Sequence, residues 1–392
     1  MLNQEFQGER LKEARLYRGK TINEVADVIQ VTKQMISKYE NNKAVPSFES
    51  LSNIADYLRF PYKFFYQKPI ELKSGSTFFR SLMSAGKKER EMQKDRGKYI
   101  TLIRASLEEY VDFPDLDLNI QDYKDIDDIE DITLMIRNKW GLGENPIDNA
   151  VNLLEKKGFV VGAIDTNSSN IDAFGTQFFV KNKLYETIIL GNDKNSFYRR
   201  QFNVVHEFGH KVLHDSNLDL FKLEKEQFKK IEEEAHHFAS SFLLPKNAFI
   251  KDVSLHPTNL DYYKVLKQKW HVSIGAMIVR AYKLGVINLS TYQYLQRQLS
   301  IKNWRIKEPF DDTKKIAKPI AIKQAVEVLL DNKYIKAEEF FKNLENNYNL
   351  ALDYQEIEQL IGLDRDYLKP IKQSDGNNII NINDILINKK NK

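Results

Sequence analysis

"VVHEFGHKVLH", Val204 to His214, decides how the middle of this 392-residue chain is read. It contains His-Glu-x-x-His, a pattern that three fixed residues produce by chance in roughly one window in 8,000. Periodicity must therefore arbitrate. On a helix each residue turns about 100° and rises about 1.5 Å. Val204, Val205, Phe208 and Val212 then share one arc and are expected to pack downward. His206, Glu207 and His210 fall on the other side. Two imidazoles one turn apart can bind one metal ion. Glu207 lies on a different radial line, placed to reach a water on the metal rather than the metal itself.

A catalytic zinc site takes three protein ligands and keeps a fourth position open. His214 is about 12 Å along the axis from His206, too far for one ion on a straight helix. The chain has no cysteine, so a metal must sit on His, Asp or Glu. A better third ligand lies in "IEEEAHHFASSFLLP", residues 231–245. Ala235, Phe238, Ala239 and Phe242 have the spacing of a buried helical stripe. Glu232 extends that stripe by one turn. A carboxylate in line with a buried face is costly unless a cation compensates it. Ala235 and Ala239 are small enough for this helix to lie close to the first. Glu233 and Glu234 read as solvated. His236 lies on the side of Glu232 and remains a rival ligand or outer-shell group. Five of the seven histidines fall between 206 and 237.

These two stretches together resemble the ImmA/IrrE family of metallopeptidases. Members show an Arg-Arg-Phe lead-in before H-E-x-G-H-x-x-x-H, here "YRRQFNVVHEFGHKVLH". They continue with E-x-x-A-N-x-F-A-x-x-L-L-x-P, here "EEEAHHFASSFLLP", and carry an upstream "DAF", here Asp172–Phe174. The similarity covers roughly 76–310, including "WHVSIGAMIVRAYKLGVI" and "WRIKEP". It implies Zn2+ on His206, His210 and Glu232, with Glu207 as catalytic base in peptide hydrolysis. It also implies a narrow substrate, a transcriptional repressor cut in a stress or mobile-element response. One position departs: the usual Asn of the second motif is His236, which puts the tuning of the site in question.

The chain begins differently. "TINEVADVIQVTKQMISKYENNKAVPS" reads as a helix-turn-helix. Thr21 caps a helix whose inner face is Ile22, Val25, Ala26 and Ile29, and Thr32 caps the next, with Met35, Ile36 and Tyr39 inward. Residues 9–66 resemble the Xre/Cro repressor type, with Gln30 where a turn glycine is expected. That resemblance makes double-stranded operator DNA the expected partner. Lys33, Gln34, Ser37 and Lys38 would face base edges in a major groove, with the capping Thr32 counted among the DNA-binding residues, and Asn41 and Lys43 would face phosphates. A helical module that binds only protein is the plainer alternative. Residues 1–67 carry 10 Lys/Arg against 8 Asp/Glu, so DNA affinity would lean on a homodimer or on the basic helix that follows.

Charge is unevenly spread. Residues 1–98 carry 19 Lys/Arg against 12 Asp/Glu, whereas 108–131 carry 11 acids against one Lys. The organisation expected is a helix-turn-helix head at 1–67, a basic helix over 76–110 with an acidic connector to 131, a metallopeptidase domain at 132–310, and a helical extension at 311–392. The fold class expected is α+β, mostly α, with a zincin-like domain whose small sheet comes from "FVVGAI", "AFGTQFFV" and "LYETIIL". No apolar run approaches bilayer length and no signal-like start is present, so a cytoplasmic location without membrane partners is expected. The stretch 68–131 reads as an arm, which would let the head deliver substrate while leaving the chemistry to the rest. Two rival functions stay open: a transcriptional regulator whose zinc domain senses a ligand or metal without proteolysis, and an antitoxin-like binding protein. Tyr198, His214 and His236 are candidate oxyanion stabilisers.

Overall fold

The computed structural model describes residues 5–70, 72, 87–166, 172–192, 196–214 and 223–370. The start of the helix expected over 76–110 and the end of the C-terminal extension lie outside those residues.

The head comprises α1 (Gly8–Tyr17), α2 (Ile22–Val28), α3 (Lys33–Glu40) and α4 (Phe48–Leu58). Thr21 and Glu24 close a capping box at the start of α2, and the Thr32 side chain accepts the Met35 N–H at the start of α3. Val25, Ala26, Ile29, Ile36 and Tyr39 are buried, as the periodicity predicts. Gln30 sits in the turn at φ 55°, the left-handed region a glycine would enter freely.

Helix α5 (Lys87–Leu107) differs from the expected polar arm. Tyr99, Ile100, Leu102, Ile103 and Leu107 are buried on it. Its residues 100, 103 and 107 keep helical spacing behind a charged first half, 87–98, and that is the signal the overall composition hides. It runs between the head and the sheet: Tyr17 of α1 stacks on Tyr99, and a side chain at Gly97 would touch the sheet residues Ile189, Thr176 and Phe174.

The sheet has three strands, β1 (Val160–Ile164), β2 (Ala173–Val180) and β3 (Lys183–Gly191), in the order β1-β3-β2. β1 pairs parallel to β3 and β2 antiparallel to it. Alternation splits its side chains between two cores. Val160, Ile164, Phe174, Val180, Tyr185 and Ile189 join the head and α5, while Val161, Ala173, Ile188 and Leu190 face the helices of a second core. Those helices are α6 (Ile129–Lys139), α7 (Ala150–Lys156), α8 (Phe197–Leu213) and α9 (Lys225–Leu243), followed by α10 (Lys246–Val253), α11 (Leu260–Trp270), α12 (Ile274–Lys283) and α13 (Leu289–Ile301).

The acidic connector is docked along part of its length. The Asp117 N–H donates to the Lys157 carbonyl at 3.0 Å, and the Trp140 indole donates to the Asp117 carbonyl at 3.2 Å. Glu130 receives the buried Arg280 guanidinium, His237 and Ser241. The extension supplies α14 (Ala321–Asp331), α15 (Ala337–Tyr348) and α16 (Tyr354–Ile361), which return to the head-side core. There the fully buried Arg10 donates to the Asn349 carbonyl, Tyr17 Oη donates to Glu356 Oε1 at 2.5 Å, and Gln67 Oε1 accepts the Ala351 N–H at 2.8 Å. The result is α+β and mostly helical. No helix among the described residues is long and apolar enough to cross a membrane.

Candidate metal centre

Helix α8 is buried on both faces. Val204, Val205, Phe208 and Val212 pack downward as its periodicity predicts, with Trp140 stacked on Phe208 at 5.2 Å. The opposite face is covered too: His206 and Glu207 are each 7% exposed and His210 2%. The cover over His206 and His210 is α9, with β2 over Glu207, and Gly209 sets how closely α9 lies. A Cβ at Gly209 would stand 2.9 Å from the Phe238 ring, so only glycine allows this separation. Ala235 and Ala239, both fully buried, are one half of the reason for the close approach. The second half of the reason is the glycine inside the His-Glu-x-x-His motif.

This approach brings three donors together. His206 Nε2 and His210 Nε2 are 3.1 Å apart, His210 Nε2 is 3.3 Å from Glu232 Oε1, and His206 Nε2 is 3.5 Å from Glu232 Oε2. Ligands on a tetrahedral zinc with bonds near 2.0–2.1 Å are separated by about 3.3 Å. The triangle therefore fits one such ion, and its two imidazoles and one carboxylate are donor types zinc accepts. Among the described residues, this is the set of three His, Asp or Glu donors that converges, and it includes Glu232 but not His236. His236 lies beside it, its ring 4.5 Å from that of His206 and 5.7 Å from Phe202.

Glu207 faces β2. Burial and the Glu232 carboxylate push its carboxyl well up, and the Gly175 amide acts in the opposite sense. A dication at the triangle would also favour its charged form. A Cβ at Gly175 would come 3.4 Å from Glu207 Oε2, an ordinary contact distance, so β2 lies directly against the carboxylate. One turn on, Lys211 bridges Glu186 and Gln177 at 2.6 Å each and ties α8 to β3 and β2. Neither Gly175 nor Lys211 carries a signal in the sequence, because their meaning lies in what they touch across the fold.

The remaining candidates separate. Tyr198 begins α8, about 12 Å along the axis from His206, and its ring packs under Lys267 at 4.2 Å. It is not brought to the centre. His214 sits behind His210, with ring nitrogens 3.1 Å apart, and its other nitrogen is 3.1 Å from Glu234 Oε2. Glu234, expected to be merely solvated, therefore has a partner.

In the head, Lys33, Gln34, Lys38, Asn41 and Lys43 are exposed and Ser37 is half-buried. Thr32 is engaged in the cap of α3, and the Asn41 amide donates to the Ser37 carbonyl at 2.7 Å. Together these six side chains run along the exposed side of α3 and just past its end.

Comparison with known families agrees with both halves. Residues 154–282 match the family model of the IrrE N-terminal-like domain, peptidase family M78, and residues 11–65 match a helix-turn-helix family model. Among curated proteins none matches the chain.

Proposed function

We propose that this chain, which carries an IrrE N-terminal-like peptidase domain behind a helix-turn-helix domain, is a zinc-dependent endopeptidase. Its proposed substrate is a transcriptional repressor, cut in a stress or mobile-element response. The observation that carries this reading is the buried triangle of His206, His210 and Glu232 with Glu207 beside it. His206 and His210 would hold the metal through Nε2 and Glu232 through its carboxylate. Zinc, when bound, supplies Lewis acidity toward a scissile carbonyl and a water molecule. Glu207 takes a proton from the attacking water onto its carboxylate and passes it to the leaving amine. A site that only senses metal has no use for a base at this position.

The head is proposed to hold the protein on an operator. Lys33, Gln34, Ser37 and Lys38, presented by the Thr32 cap, would meet base edges, with Asn41 and Lys43 on phosphates. Paired half-sites and a homodimer would make up for the head's small net charge. On this reading residues 1–67 form the head, 68–131 the basic helix and connector, 132–310 the peptidase domain and 311–392 the extension. The test is to incubate zinc-loaded protein with the repressors encoded beside its own gene and to follow cleavage by mass spectrometry. A specific cut is expected. One zinc bound and every repressor intact would point to a sensor instead.

A further inference from the structure

We infer that His214 and Glu234 form an outer shell that fixes how His210 presents its Nε2, so that the metal site is built from five side chains rather than three. The inference rests on the zinc reading above. His210 Nε2 points at His206 Nε2 and the Glu232 carboxylate, at 3.1 and 3.3 Å. To bind a metal there it must offer a lone pair, which puts the ring proton on Nδ1. His210 Nδ1 is 3.1 Å from His214 Nδ1, so that proton is donated to His214. His214 then carries its own proton on Nε2, which is 3.1 Å from Glu234 Oε2. Every donor meets an acceptor, and the chain runs in one direction from His210 to the Glu234 carboxylate. Reversing it would place a proton on His210 Nε2 and abolish the ligand.

The fold is arranged for this. His214 is the C-cap of α8, and its backbone N–H donates to the His210 carbonyl at 3.1 Å, which brings its ring back over His210. Its side chain is only 6% exposed, whereas Glu234 on α9 is 33% exposed. Both helices that supply metal ligands thus also supply an outer-shell group. A carboxylate behind two imidazoles holds the ring of His210 in one tautomer and orientation and raises its basicity toward the metal. His214 and Glu234 are positioning residues in this account.

The test measures metal binding, not only activity. The full-length chain is titrated first with zinc against a chromophoric chelator. One zinc per chain is expected, and no uptake would overturn the zinc reading itself. His214→Leu, which fills similar space without hydrogen bonds, should then weaken zinc binding by about 10–100-fold. His214→Gln can accept from His210 Nδ1–H and donate to Glu234, and should recover much of that loss. Glu234→Ala, at a partly exposed position, should give a smaller loss without a folding defect. In cobalt-loaded protein the ligand-field bands should shift in His214→Leu and return toward the parent in His214→Gln. If Leu and Gln bind zinc equally well and leave the cobalt spectrum unchanged, packing is all that His214 provides. The outer-shell assignment then fails while the three-ligand site stands. Should His214→Leu not fold, unchanged zinc affinity in Glu234→Ala overturns the assignment by itself.

Discussion

At Glu207 the chain holds a carboxylate where burial and a neighbouring acid both oppose its charge. Such a group is expensive unless a cation or a proton balances it, and a metal held at the adjacent triangle would be that cation. Replacing Glu207 with Gln keeps shape and burial and removes the base. Zinc content and the unfolding midpoint should stay near the parent, and repressor cleavage should fall by about 10²–10⁴. Full activity in that variant would rule out the proposed proton path. Head residues make a separable prediction. Gln34→Ala should relax preference at one base pair by about 1–3 kcal/mol. Lys43→Ala should weaken binding to all sequences and flatten its salt dependence. Equal losses for cognate and random DNA in Gln34→Ala would remove it from base reading. The residues legible from the sequence are those whose spacing carries meaning alone: His206, Glu207, His210, and Glu232 at the end of a buried stripe. His214 and Glu234 were not legible as a pair. Their hydrogen bond depends on where α8 ends and how α9 crosses it, and Glu234 is one acid in a run of three.

Among the elements, α8 and α9 show how the centre depends on a contact rather than on a motif. Gly209 lies inside a helix, where alanine ordinarily stabilises by about 1 kcal/mol. Here an added Cβ would stand 2.9 Å from the ring of Phe238, which is itself fully buried and packed on Phe208 and Phe242. The Phe238 ring cannot yield without disturbing the core it shares with Phe208 and Phe242. Overpacking of this kind typically costs about 1–3 kcal/mol. Gly209→Ala should therefore lower the urea midpoint despite its better helix propensity. It should also spread the donor triangle and weaken zinc retention. A variant as stable as the parent, with unchanged zinc binding, would mean that the two helices have slack the geometry does not suggest. The strands were legible as short β-type runs bounded by Asp, Asn, Ser and Gly clusters, and so was the class of fold. The burial of α5 was not, because the lysines, arginines and glutamates of its first half, 87–98, dominate its composition and mask the apolar half that follows, Tyr99 to Leu107. The docking of the acidic connector was hidden likewise. Glu130 looks like one more solvated acid until Arg280, 150 positions later, is seen to reach it.

Across the whole molecule the sheet is a shared wall, and what lies behind it changes how the head and the peptidase relate. The sequence reading of an arm leads to a head that can be removed without consequence for the rest. The structure gives the head-side core to α1, α5, one face of the sheet and the C-terminal helices together. Glu13 of α1 receives both Lys98 and Tyr99 of α5. Arg10 and Tyr17 bond to residues 339 positions away, Asn349 and Glu356. No local pattern announces partners that distant, so the interlock was invisible from the sequence. Deleting residues 1–67 would bare the side of α5 on which Tyr17 stacks and the tail surfaces around Leu350 and Ile357. Uncovering each large apolar side chain costs about 1.5–3 kcal/mol. A few such losses rival a net stability of about 5–15 kcal/mol. The truncated chain is therefore expected to aggregate or melt well below the parent, and its loss of cleavage would say nothing about delivery. Substituting both Lys33 and Lys38 with Ala tests delivery cleanly, because both are exposed. That variant should keep the parental melt and zinc content and lose DNA binding. Cleavage of excess free substrate should be unaffected, and cleavage of repressor on its operator should fall. If the truncated chain instead melts with the parent and binds zinc as well, the head is an independent module after all, and the shared core contributes nothing measurable to the fold.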